Sequence, residues 1–187
     1  MKKLFEYLKD TYKNDQPILL SEIKIPGQTE ESIRKAMERL VSNKLINRFS
    51  NGIYYMPVKT MLGNKELSPT DVITAKFIKN NETIYGFYTG LSFANALGIT
   101  TQIPNIVEVV SNKEASAKRE VRIGYQTVIV RKSSVKITAD NMKLVQLLDY
   151  IRSEKITILK DHAVYFRKYV KDNQFKKSEL NQVLPQL

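Results

Sequence analysis

The chain has 187 residues, 42% of them hydrophobic, with no cysteine and a net charge of +11. That length holds one large domain or two small ones with a real core, and the lack of cysteine excludes disulfides, thiolate metal sites and a cysteine nucleophile. The basic balance favours a polyanionic partner, nucleic acid, an acidic protein or a membrane surface; no apolar run is long enough to cross a bilayer, and no membrane partner is expected.

Leu4, Tyr7 and Leu8 put an apolar stripe on a first helix ending near Tyr12. Met-Lys-Lys resembles the start of a signal peptide, but Glu6, Lys9 and Asp10 interrupt anything apolar behind it, so a cytoplasmic location is expected. After Pro17 and Ile18-Leu19-Leu20, the run Ser21-Glu22-Ile23 reads as a brief second helix, and Lys24 to Gln28 as a turn punctuated by Pro26 and Gly27. Thr29 has a side-chain oxygen suited to capping a third helix. Ile33, Ala36, Met37 and Leu40 form its apolar stripe, while Ser32, Lys35 and Arg39 project from the other side with Glu31 and Glu38. Asn43 and Lys44 end it. Leu45 to Phe49 reads as a strand, Ser50-Asn51-Gly52 as a tight turn whose Asn-Gly pair tolerates positive φ, and Ile53 to Met56 as the return strand, closed by Pro57. Helix, short helix, turn, helix, hairpin is the order of a winged helix-turn-helix, in which the last helix enters the major groove. The expected DNA-contacting residues are Gln28, Thr29, Ser32, Lys35, Arg39, Arg48 and Asn51. A winged helix that mediates only protein contacts is the alternative.

Residues 58–67 lack periodicity and read as a linker, which predicts a winged helix-turn-helix domain over 1–58 and a mixed α/β domain with a small sheet over 59–187, an α+β chain overall. Residues 1–58 carry a net +3 and residues 59–187 a net +8, so the recognisable DNA-binding unit is the less basic half. Ser68 can cap a helix with Pro69 at its first position, and Val72, Ala75, Phe77 and Ile78 form its buried side. Asn80-Asn81-Glu82 is a turn. Leu91, Ala94 and Leu97 predict a short packed helix ending at Gly98. Ile106 to Val110 is β-branched and reads as a strand. Segments 119–123 and 127–131 flank Gly124-Tyr125-Gln126 as a hairpin. Helices follow over 140–151 and 156–170, and Ser178 caps a last short one. Residues 113–136 carry a net +5, and Arg119, Arg122, Arg131 and Lys132 are the expected basic patch, with Arg122 and Arg131 on a common side.

The stretch Arg48 to Pro57, then Tyr85 to Asn112, then the basic hairpin, resembles the AbiEi-type antitoxins and their small relatives. The match in pattern runs from about Ile33 to Lys132 and rests on the Gly-Ile-Tyr-Tyr wing, a small-residue helix ending in Leu-Gly, Thr-Gln-x-Pro and a strand. The resemblance implies the antitoxin of a type IV toxin–antitoxin module. Such a protein represses its own operon by binding promoter repeats in double-stranded DNA and opposes a nucleotidyltransferase-like toxin, often in abortive phage infection. The chain has Asn51 where that family often carries a basic residue before the wing glycine, leaving Arg48 as the wing cation. The alternatives are a winged-helix repressor without a toxin partner and a nucleic-acid-processing enzyme.

Catalytic chemistry is thin. His162, the only histidine, adjoins Asp161, but neighbours in sequence do not face each other on a helix. No Cys/His cluster has zinc spacing. Gly86, Gly90 and Gly98 lack the Lys-Ser/Thr of a phosphate loop and read as packing and turn glycines. Glu108 with Lys132 is the nearest approach to a metal-dependent nuclease pair. Tyr85, Phe87, Tyr88 and Phe93 read as core rather than as base-stacking platforms. No enzyme activity, cofactor or metal is expected.

Overall fold

Leu4 and Leu8 lie one helical turn apart and both are buried, which makes α1 (Lys2–Thr11) amphipathic. The computed structural model describes residues 2–61 and 63–186. The chain is α+β and divides into two compact units, Met1–Ala75 and Lys76–Leu187. The division falls beyond the boundary after residue 58 that linker composition predicts. Lys65 explains why: its Nζ lies 2.9 Å from Asp15 Oδ2 and its N–H donates to the Val58 carbonyl, which ties the stretch to the first unit.

In the first unit β1 (Ile18–Leu19) runs into a 3-10 turn over Leu20–Glu22, all that forms of the expected second helix. The third helix is α2 (Glu30–Ser42), followed by the hairpin of β2 (Asn47–Ser50) and β3 (Ile53–Tyr55). The sheet order is β1-β3-β2, all antiparallel, so β3 is central and all three of its residues are buried. Ile33, Met37 and Leu40 pack in one cluster with Leu4, Leu8 and Ile46, as the apolar stripe predicts. Truncating Met37 or Leu40, both fully buried, to alanine would cost about 2–5 kcal/mol. The small hairpin of β4 (Lys59–Thr60) and β5 (Gly63–Asn64) precedes α3 (Pro69–Ile73). The Ser68 hydroxyl accepts from the Asp71 N–H at 3.1 Å, and Pro69 opens the helix, as expected. A π-helical turn over Thr74–Ile78 follows.

The second unit begins with the short pair β6 (Lys79–Asn80) and β7 (Thr83–Ile84), then β8 (Gly86–Thr89) and α4 (Gly90–Ala96). The remaining strands are β9 (Ile106–Ser111), β10 (Lys118–Ile123) and β11 (Gln126–Lys132). The four-stranded sheet runs β10-β11-β9-β8, with β11 parallel to β9 and the other pairs antiparallel. A Cβ on Gly86 would lie 2.0 Å from the Phe77 carbonyl oxygen, so that position admits only glycine. Gly98 has φ +79 and closes α4 through two bonds, Ile99 N–H to Ala94 O and Gly98 N–H to Asn95 O, both 2.9 Å. The stripe of α4 is shifted from the expected one: Phe93 and Ala94 are buried, whereas Leu91 is exposed.

Next, α5 (Met142–Ser153) buries Leu144 and Val145 against Phe87 and Val110. The single helix expected over 156–170 is two, α6 (Ile156–Asp161) and α7 (Ala163–Asn173). His162 breaks them at φ −107 and ψ 16, and its Nδ1 lies 3.0 Å from the Ile158 carbonyl oxygen. The break turns α7 so that Tyr169 meets the Phe93 ring edge-on at 5.5 Å, beside Tyr150 at 5.4 Å. In the last helix, α8 (Lys177–Val183), Ser178 lies inside the first turn and does not cap. Glu179 acts instead, its carboxylate accepting from the Lys176 N–H at 3.2 Å. Among the described residues no helix is long and apolar enough to cross a membrane.

Candidate nucleic-acid interface

Positions 28, 32, 35 and 39 succeed one another at spacings of four, three and four, so Gln28, Ser32, Lys35 and Arg39 follow one stripe along α2 and the turn before it. Ser32, Lys35 and Arg39 are exposed and Gln28 is half-buried. Two of the three acidic residues of the helix keep apart from this stripe. Glu30, Arg34 and Glu38, four apart, run along the opposite flank. Glu31 lies between the two and pairs with Lys35 at 2.7 Å. Both partners are well exposed, so the pair contributes only about 0.2–0.5 kcal/mol and is easily exchanged for a phosphate. Glu30 and Glu31 also occupy the first turn, where negative charge complements the helix dipole. Arg39 makes no ion pair among the described residues.

Thr29 has a structural duty. Its Oγ1 accepts from the Ser32 N–H at 3.2 Å, so one of its two lone pairs is engaged in the cap. At the far end of α2, Lys44 takes φ 57 and completes a two-bond C-terminal cap: Lys44 N–H to Val41 O at 2.9 Å and Leu45 N–H to Leu40 O at 3.0 Å.

The hairpin turn differs from the expected one. Gly52 has φ 74, but Asn51 does not take positive φ, and the register slips between Arg48 and Ser50. The bulge at Phe49 supplies the twist that a second positive-φ residue would have given. Arg48 folds over this turn: its Nη2 donates to Asn51 Oδ1 at 3.0 Å and its guanidinium lies 6.0 Å from the Tyr54 ring centre. The two expected wing contacts are therefore one hydrogen-bonded pair on an exposed tip, not two independent ones.

In the second unit the four expected basic residues divide. Strand register places Arg122 and Arg131 on one face of the sheet, as expected, and Arg119 and Lys132 on the other. Two of the four are held by carboxylates. Arg131 forms a two-pronged pair with Asp149, at 3.2 and 2.8 Å, and Asp149 also accepts from the Thr89 hydroxyl at 2.8 Å. Arg119 Nε donates to Glu114 Oε2 at 2.6 Å. Glu114 is buried, which by itself raises its carboxyl pKa. The Ser116 N–H, Arg119 and the Ala115 N–H outweigh that and hold it below the ordinary range. Lys113 sits over the Tyr85 ring at 3.7 Å. Arg122 and Lys132 are exposed and make no ion pair among the described residues. Glu108 and Lys132 lie on opposite faces, which separates the two members of the candidate nuclease pair. No group of three potential metal ligands occurs among the described residues.

Asp149 is the residue that sequence reasoning missed. It lies four after the buried Val145, on the apolar side of α5, and a carboxylate there needs a cation. That signal was present, though not the identity of the cation, which depends on sheet register. A family model described as "Family of unknown function (DUF6088)" matches residues 4–178. No curated protein matches the chain.

Proposed function

The chain belongs to the DUF6088 family, whose function is unknown, and on the resemblance in pattern over residues 33–132 we propose that it is a DNA-binding antitoxin, similar in role to the AbiEi type. In this reading it is cytoplasmic and not an enzyme. Its first unit is a winged helix-turn-helix that binds repeats in its own promoter, and the whole chain opposes a nucleotidyltransferase-like toxin. The observation that carries the DNA-binding half is the stripe Gln28, Ser32, Lys35 and Arg39, set apart from the acidic flank of α2 and followed by a hairpin tipped with Arg48. Lysine and arginine at base edges or phosphates, with glutamine and serine beside them, is the donor set that a major-groove helix uses.

The test is duplex binding by anisotropy, promoter repeats against scrambled sequence at matched salt. Lys35→Ala with Arg39→Ala should weaken promoter binding by about 1–3 kcal/mol for each base-edge interaction removed, and should narrow the gap to scrambled duplex. Unchanged affinity and preference in a folded double variant would remove α2 from the readout. Co-expression with the product of an adjacent nucleotidyltransferase-like gene tests the antitoxin half. Failure to protect cells would leave the runner-up, a repressor without a toxin. One observation favours that runner-up: two of the four cations expected to serve a partner are engaged by Glu114 and Asp149.

A further inference from the structure

Between the end of β11 and the last turn of α5 lies a cavity of about 380 Å³, entirely within the second unit. Its floor is apolar, with Phe87, Val110 and Val145. Its walls are not. One segment brings Arg131, Lys132, Ser133 and Ser134, and α5 brings Asp149, Arg152 and Ser153. On this face of the sheet Arg131 and Arg152 against Asp149 leave the lining at a net +1, Lys132 being set on the other face. The carboxylate is already engaged by Arg131 and Thr89.

That engagement prepares Arg131 to bind. Asp149 uses one N–H from each Nη, and no other hydrogen bond takes the rest of the guanidinium among the described residues. A fixed guanidinium with spare donors gives up little freedom when an anion arrives. Ser133 and Ser153 donate their hydroxyl hydrogens to the Val135 and Tyr150 carbonyls, so the remaining hydroxyl donor is Ser134. We propose that this cavity binds a small phosphate-bearing molecule, its phosphate on Arg131, Ser134 and Arg152 and its organic part toward the apolar floor. The volume suits a small ligand and excludes a duplex. The assignment stands apart from the DNA-binding reading of the first unit.

The experiment is calorimetric titration of the full chain with pyrophosphate and adenosine 5′-monophosphate, with adenosine as the uncharged control. Each phosphate probe should bind and adenosine should not. Ser134→Glu and Arg152→Glu, at exposed positions on the rim, should each weaken binding by roughly tenfold or more. Lys168→Glu, the same charge reversal on α7 away from the cavity, should leave it unchanged. Circular dichroism checks that each variant is folded, and Ser134→Glu alone suffices if Arg152→Glu is not. No binding at millimolar probe, equal loss in Lys168→Glu, no loss in Ser134→Glu, or displacement of the probe by duplex DNA would each overturn the proposal.

Discussion

Lys44 occupies a position whose backbone glycine prefers, since at φ 57 its Cβ crowds the following carbonyl. Lys44→Gly should raise stability by about 0.5–1 kcal/mol, the relief of that crowding exceeding the entropy that glycine adds to the unfolded chain. A lower urea midpoint in the variant would show that the lysine side chain holds the cap by some other contact. Glu114 makes a prediction of opposite character, because its contribution depends on pH. Its carboxyl is held below the ordinary value of about 4.3, so the folded state favours the charged form. The resulting stability is fully present above that ordinary value and is lost as pH falls through the depressed one. Glu114→Gln should therefore be less stable than the parent at neutral pH, with the gap closing on acidification below about 4.3. Urea midpoints of the two proteins at several pH values measure the gap; one that stays constant would mean the carboxylate charge contributes nothing. Arg131 and Asp149 belong with this pair. Removing the guanidinium would strand a carboxylate of which 17% is exposed, at a cost of about 2–3 kcal/mol, less than for a fully buried pair because Arg131 itself keeps 31% of its side chain exposed.

The hairpin of β2 and β3 tests whether an element serves the fold or the partner. Gly52 alone takes positive φ in the turn, and a β-branched residue there is strained. The surrounding anchorage is good: Leu20 N–H donates to Gly52 O at 2.9 Å, and Tyr54 and Ile53 pair with β1. Gly52→Val should distort the tip and displace Arg48 from Asn51 while the paired strands persist, so promoter affinity should fall by a larger factor than the folding equilibrium constant. Equal losses in parallel titrations would make the wing purely structural. These elements also show what was legible in advance. Stripes such as Ile33-Met37-Leu40 are visible because period alone defines them, and the caps at Thr29 and Ser68 because their partners are three residues away. The bulge at Phe49 and the break at His162 were not legible. The first follows from pairing Ser50 with Ile53, one of several registers the same short turn permits, and the second from docking Tyr169 on Phe93, a tertiary contact. The candidate site divides in the same way. The α2 stripe could be read from spacing, but the fates of Arg119 and Arg131 could not. Glu114 and Asp149 lie five and eighteen residues from them, and only the fold makes them neighbours.

For the whole molecule the question is where the positive charge goes. Residues 1–75 carry twelve Lys/Arg and nine Asp/Glu, a net of +3, and residues 76–187 carry eighteen and ten, a net of +8. A protein bound to DNA through many phosphates shows a steep salt dependence, each phosphate neutralised contributing about 0.9 to the slope of log affinity against log salt. If the excess charge of the second unit met the duplex as one basic patch, removing its cations together would flatten that slope by several times this amount. The sheet register argues otherwise. Arg122 and Lys132, exposed and without ion pairs among the described residues, lie on opposite faces of one sheet, so a single duplex does not reach both. Arg122→Ala with Lys132→Ala should therefore flatten the slope of promoter binding by no more than about 0.9, the share of one phosphate, and leave sequence preference intact. Arg119 and Arg131 should be left in place, since changing them would mix weaker binding with weaker folding. A drop of twice that size would mean that DNA meets both faces, in separate copies of the chain or by wrapping. An unchanged slope with failed protection against the toxin would assign these cations to the antitoxin role. With both repression and protection unchanged as well, they would be no more than a solvated surface.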